Sequence, residues 1–146
     1  MDVRGPKKTA VWLWWAVDRT SRRVLGWALG DRNTETAQAL GAQIPVGPGI
    51  TYASDFWHSY ANIFPPRQHI KGKAHTYSIE SKNNQLRHYL ARLHRKTHCY
   101  SKSLRNLRDS ILFILARKLK CPLQKQVTQA CVTCRAIWVG EISIPI

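Results

Sequence analysis

A chain of 146 residues with 44% hydrophobic content and six Trp has the makings of one folded domain, not a disordered tail. A domain of this length buries roughly 68–70% of its unfolded surface and needs no disulfide or metal staples. Its 23 Lys and Arg against 8 acids give a net charge of +15, which selects an anionic partner, nucleic acid or membrane surface, over a neutral one. The plainer alternative is charge that serves solubility.

From the N-terminus, no early apolar run marks a signal peptide. Residues 11–17, Val-Trp-Leu-Trp-Trp-Ala-Val, and 24–29, Val-Leu-Gly-Trp-Ala-Leu, are β-prone runs around a polar turn, so a hairpin is expected. Asn33 is placed to cap a short helix through Leu40. Pro45, Gly47, Pro48 and Gly49 mark a loop. Residues 50–54 form a further short strand with Asp55 at its end. Residues 56–60 begin a helix that Pro65-Pro66 stops. A helix over about 79–97 follows from Ile79, Leu86, Leu90 and Leu93, which fall on one stripe. A neighbouring stripe carries Glu80, Asn84 and Arg87. Residues 103–118 read as another helix. The apolar stretch 111–116 is too short to span a bilayer, which takes about 20 residues. From Cys121 onward no clear period appears. A soluble, cytoplasmic protein is expected, with its four Cys as reduced thiols.

Residues 67–108 hold eleven Lys or Arg and a single acid, Glu80. Lys82, Arg87, Arg92, Arg95, Lys96 and Lys102 are the candidate phosphate contacts. A carboxylate among them repels phosphate unless a cation sits between. A divalent metal is therefore the expected partner of Glu80. The competing role is a first-turn acid that complements the helix dipole. Asp55 closes a strand, and strand carboxyl ends are where ligands gather in open α/β sheets. It is a candidate to share that metal with Glu80, against the ordinary role of a helix cap. Asp18, in a polar turn, reads as structural. Cys131-Val-Thr-Cys134 is a lone CxxC, and zinc needs two further ligands. The six His show no metal-binding spacing.

Four blocks in order resemble DDE transposases of the insertion-sequence-1 type. Trp12-Leu13-Trp14-Trp15-Ala16-Val17-Asp18-Arg19 is similar to the family's aromatic strand and its "AxDR" turn. Residues 24–37 are similar to "GxxxGxRxxxTA", and Ser54-Asp55-Phe56-Trp57-His58-Ser59-Tyr60 to "TDxWxxY". Ile79-Glu80-Ser81-Lys82-Asn83-Asn84-Gln85-Leu86-Arg87, with residues 91–103, is similar to "IERxNxxLR…RLxRKT…FSKS". Each block is weak alone; the four in sequence are specific, and they cover about residues 5–110.

The resemblance implies an α/β, RNase H-like mixed sheet with flanking helices. It implies DNA transposition by metal-dependent strand cleavage and strand transfer at insertion-sequence ends, with Mg²⁺ or Mn²⁺. Asp55 matches the second catalytic and metal-binding acid and Glu80 the third. The first lies upstream of Gly5 in the family, so the sheet is expected to lack its first strand and the activity to be impaired. The family's N-terminal zinc and helix-turn-helix regions are also missing, and Ser81 stands where Arg is usual. On this reading residues 1–118 are a partial catalytic domain and 119–146 a divergent tail. Expected partners are transposon-end and target DNA, with no membrane, a nucleoid location and homo-oligomers in intact relatives. A non-catalytic basic DNA-binding fragment is the alternative. An RNA-binding protein of ribosomal type fits the charge but not the ordered acid motifs.

Overall fold

In the computed structural model, which describes residues 10–73, 77–93, 103–118 and 136–145, the Trp-rich run becomes β1 (Ala10–Asp18). It pairs antiparallel with β2 (Val24–Gly30) as the expected hairpin. The turn is held by Asp18, whose carboxylate accepts from the amides of Thr20 at 3.3 Å and Ser21 at 2.9 Å and from the Ser21 hydroxyl. That is the structural turn role read from the sequence.

Helix α1 (Thr34–Gly41) begins at Asn33, whose Oδ1 accepts from the Thr36 amide at 2.9 Å. β3 (Thr51–Ser54) and β4 (His69–Lys71) run parallel, separated by a 3-10 turn at His58–Asn62. The turn occupies part of the segment where a helix is expected. Helix α2 (Tyr77–Tyr89) ends sooner than the apolar stripe suggests. A 3-10 turn, Ala91–Leu93, continues from it and still delivers Leu93 to the core. The rest of the expected helix, residues 94–97, lies outside the described residues. Helix α3 (Leu104–Arg117) follows the expected span, with Ser103 as its cap.

β5 (Ala136–Pro145) forms where the sequence shows no element. It takes the middle of the five-stranded sheet, in the order β2-β1-β5-β3-β4. It is antiparallel to β1 and parallel to β3. The sheet is therefore mixed, as expected. Residues from the segment read as a separate tail thus pair with β1 and β3 of the 1–118 segment.

A central strand buries both faces, and two cores flank this sheet. On one face Leu13, Trp15, Ile142 and Ile144 pack with residues of α2 and α3. On the other Trp14, Ile137, Val139 and Tyr52 pack with α1 and with Tyr60 of the 3-10 turn. Trp14 and Trp15 are fully buried on opposite faces, as strand alternation requires. Among the described residues no helix is long and apolar enough to cross a membrane.

Asn83 ties the layers together. Its Oδ1 accepts from Trp15 Nε1 at 3.0 Å, and its Nδ2 donates to the Glu141 carbonyl at 3.3 Å. Asn83→Leu strands the buried indole N–H, which costs about 1–3 kcal/mol. Asn84→Leu, on the exposed side of the same turn, is expected to stay within about 0.5 kcal/mol of wild type. Urea denaturation of the two variants checks the contrast.

Candidate functional site

Asp55 stands where β3 leaves the sheet, half-buried, and its Oδ1 accepts from the Trp57 amide at 3.0 Å. It thus forms an Asx-type turn that leads into the 3-10 turn, whose cap is Trp57 and not Asp55. The preceding Ser54 is fully buried. Its hydroxyl contacts His69 Nε2 at 2.7 Å and donates to the Asp55 carbonyl at 2.9 Å. Burial, then the charge of Lys71, hold the His69 ring below its usual value. The neutral ring fits its role as a hydrogen-bond partner inside the sheet.

A second carboxylate, absent from the sequence reading, belongs to this site. Ala53 pairs with Trp138, so extending the parallel register sets Asp55 level with Gly140, one residue before Glu141. Ile137 and Val139 face the α1 side, so Glu141 faces it too by alternation. Its side chain is only 7% exposed. Arg32 Nε donates to Glu141 Oε1 at 2.6 Å, while Oε2 is buried with no hydrogen-bond partner. Burial pushes the Glu141 carboxyl up to about 7; the charge of Arg32 pulls down, Asp55 pushes up, and the Arg32 hydrogen bond pulls down. Tyr60 is raised by burial first, then by Glu141 and Asp55. Those influences mark Asp55, Glu141, Tyr60 and Arg32 as one electrostatic group.

Aromatic rings wall the group in. The Arg32 guanidinium lies 4.8 Å from the Trp12 ring centre and 5.6 Å from that of Trp57. Trp14 packs on Trp57 at 4.9 Å and on Tyr60 at 5.8 Å. The Trp14 indole nitrogen and the Tyr60 hydroxyl are also buried without hydrogen-bond partners. In a low-dielectric wall such as this, charge interactions are stronger than at the surface.

Glu80 lies in the first turn of α2 and is exposed. The helix crosses β5 close by. A Cβ at Gly140 would clash with Ile79 Cγ2, so only glycine admits this approach. Asn83 holds the Glu141 backbone from the same side. Helix α2 packs on the sheet face opposite the one that Glu141 faces. Asp55 and Glu141 thus lie on neighbouring strands at nearly one level, and Glu80 stands on the helix that covers the other face. Among the described residues no group of three or more His, Cys, Asp or Glu is arranged to hold a metal. The carboxylates that sense each other electrostatically are those of residues 55 and 141.

Of the basic candidates, Lys82, Arg87 and Arg92 are half-buried on α2 and the turn after it. Lys82 Nζ donates to Gln85 Oε1 at 3.2 Å. Burial, then the charge of Arg22 in the β1–β2 turn, lower the Lys82 ammonium. The start of α2 and the hairpin turn therefore share positive potential. Arg95, Lys96 and Lys102, like Cys131 and Cys134, lie outside the described residues.

The sequence is similar to known proteins over most of its length. The model of a family described as IS1 transposase matches residues 2–119. Over 101 residues the chain is 39% identical to the insertion element iso-IS1n protein InsB of Shigella dysenteriae, covering 68% of this chain and 76% of the relative. It is 32% identical over 108 residues to the insertion element IS1 protein InsB of Shigella flexneri, covering 74% and 82%. A relative from Escherichia coli (strain K12), insertion element IS1 4 protein InsB, is 32% identical over 108 residues, covering 74% and 64%. No solved structure matches the chain. The family match ends before β5, so Glu141 lies outside it.

Proposed function

Because the chain belongs to the IS1 transposase family, we propose that it acts on DNA in transposition, through DDE-type cleavage and joining of strands at insertion-sequence ends, with an activity impaired relative to intact relatives. The single observation that carries this reading is the position of Asp55. It lies at the carboxyl end of a strand in the parallel half of the sheet, level with the residue on which α2 packs. The order of the sheet, antiparallel from β2 to β5 and parallel from β5 to β4, supports an RNase H-like fold. Asp55 and Glu80 are the catalytic and metal-binding acids on this reading, and Mg²⁺ or Mn²⁺ is the cofactor.

The residues suit such an ion. Hard divalent cations take oxygen ligands and keep several waters. The site offers carboxylate oxygens, one of them buried without a partner. Once bound, the ion supplies charge stabilisation for phosphoryl transfer. The chain's own residues do the rest. Ser54 and the Trp57 amide fix Asp55 at the strand end. The Trp12 and Trp57 rings hold the Arg32 guanidinium beside Glu141. Lys82, Arg87, Arg92, Arg95, Lys96 and Lys102 draw in the DNA backbone, and their hold weakens as salt rises. The chain's partners are transposon-end and target DNA, in the cytoplasm at the nucleoid, with homo-oligomers formed by intact relatives.

The test is nicking of supercoiled DNA by the purified chain in Mn²⁺, beside DNA binding in a chelator. Asp55→Asn and Glu80→Gln are each expected to lower nicking by at least about a hundredfold, the scale of losing one main electrostatic element of a site. Binding in the chelator should hold or strengthen, because each variant removes a negative charge. Nicking that survives both substitutions, or DNA binding with no metal-dependent chemistry at all, overturns the reading. The second result leaves a basic DNA-binding protein.

A further inference from the structure

We propose that Glu141 of β5 is a ligand that binds a divalent, oxygen-preferring cation together with Asp55. The inference rests on the reading of Asp55 as a metal-site acid and adds a residue outside the matched family region.

Three observations carry it. The first is topological. β5 is the strand next to β3, and the parallel register brings Glu141 within one residue of the level of Asp55. The Asp55 charge acts on the Glu141 carboxyl, and two carboxylates from neighbouring strands form the smallest cradle for a hard cation. The second is an orphaned atom. Glu141 is more than nine-tenths buried, yet Oε2 has no hydrogen-bond partner. Buried carboxylate oxygens are ordinarily satisfied, so an exception calls for a missing partner. The third is charge. Arg32 reaches only Oε1 of Glu141, at 2.6 Å. With Glu141 ionised, one guanidinium faces two carboxylates, and a divalent cation relieves their repulsion.

The identity of the ion follows from the donors. His69 of β4 is committed to Ser54. With oxygen donors alone, Mg²⁺ or Mn²⁺ suits the site better than Zn²⁺. The orphaned Trp14 N–H and Tyr60 O–H lie on the same sheet face. They can donate to anionic oxygens gathered around the ion. The opposing interpretation is that Glu141 exists only to hold Arg32 against Trp12.

Mn²⁺ titration of the full-length chain at about pH 8, followed by electron paramagnetic resonance and by melting temperature, separates the two. Wild type is expected to bind Mn²⁺ and to melt higher with it. Even outer-shell partners of a metal cost about 10–100-fold in affinity when lost. Glu141→Gln and Asp55→Asn are therefore each expected to weaken Mn²⁺ by at least about tenfold and to lose the melting shift. Glu141→Asp keeps a carboxylate and is expected to retain part of the affinity, which guards against a folding defect in the Gln variant. Wild-type affinity in Glu141→Gln with loss in Asp55→Asn overturns the role of Glu141 and leaves that of Asp55 standing. Wild-type affinity in both overturns the metal reading of the whole site.

Discussion

Deleting residues 136–146 is expected to abolish cooperative unfolding of the remaining chain, observed as loss of the thermal transition and of near-ultraviolet circular dichroism. β5 contributes four buried aliphatic side chains, Ile137, Val139, Ile142 and Ile144. At about 1.5–3 kcal/mol each their burial stabilises by roughly 6–12 kcal/mol, which matches the whole stability of a typical domain, about 5–15 kcal/mol. Its removal also opens the ladders to β1 and β3 on either side. What is left is a β1–β2 hairpin and a short parallel pair, and a two-stranded piece is marginal by itself in water. A truncated chain that melts as sharply as wild type would show that residues 136–146 are dispensable to the fold.

That expectation runs against the plain reading of the sequence, and the reason is physical. The β1–β2 hairpin is legible because both strands are apolar and a polar turn separates them. Helices α1 and α3 are legible from Asn33, Ser103 and their apolar spacing. β5 carries no such signal. It is buried on both faces, so alternation of polar and apolar residues is lost. Gly140 interrupts its apolar run, for the sake of the helix that crosses it. Its partners lie far away in sequence, at residues 10–18 and 51–53. Periodicity is a local property and cannot report such pairing.

The site was legible in part for the same reason. Asp55 is visible as an acid at a strand end and Glu80 as the lone acid of a basic stretch. Glu141 is the only acid of residues 119–146, set within Ile137-Trp-Val-Gly-Glu-Ile-Ser-Ile144. A single carboxylate in an apolar, β-branched run is the signal that could have found it, because burying one unpaired is costly. Asn83 was likewise overlooked in favour of Asn84. The "IERxN" pattern marks the former, and the structure shows it bridging α2, β1 and β5.

The second large effect concerns pH, with the chain held free of metal by a chelator. In the folded chain burial, Arg32 and Asp55 leave the Glu141 carboxyl at about 7, against an ordinary 4.5. Folding therefore takes up a proton between those two values. The contribution to stability is full below about pH 4.5 and is lost as pH rises to about 7, at a slope no steeper than about 1.4 kcal/mol per unit for one proton. His69 acts with the opposite sign, since its lowered value removes stability as pH falls below its ordinary 6.5. Comparing wild type with Glu141→Gln cancels His69, because both chains carry it. The variant is expected to gain on wild type between about pH 4.5 and 7 and to run parallel above that, as urea melts across the range would show. Parallel profiles throughout would mean that Glu141 titrates alike in folded and unfolded chains. Arg32→Met sharpens the argument. Arg32 supplies both the charge and the hydrogen bond that lower the Glu141 value. Without it the fall in stability must extend to higher pH, which no general loosening of the fold would produce.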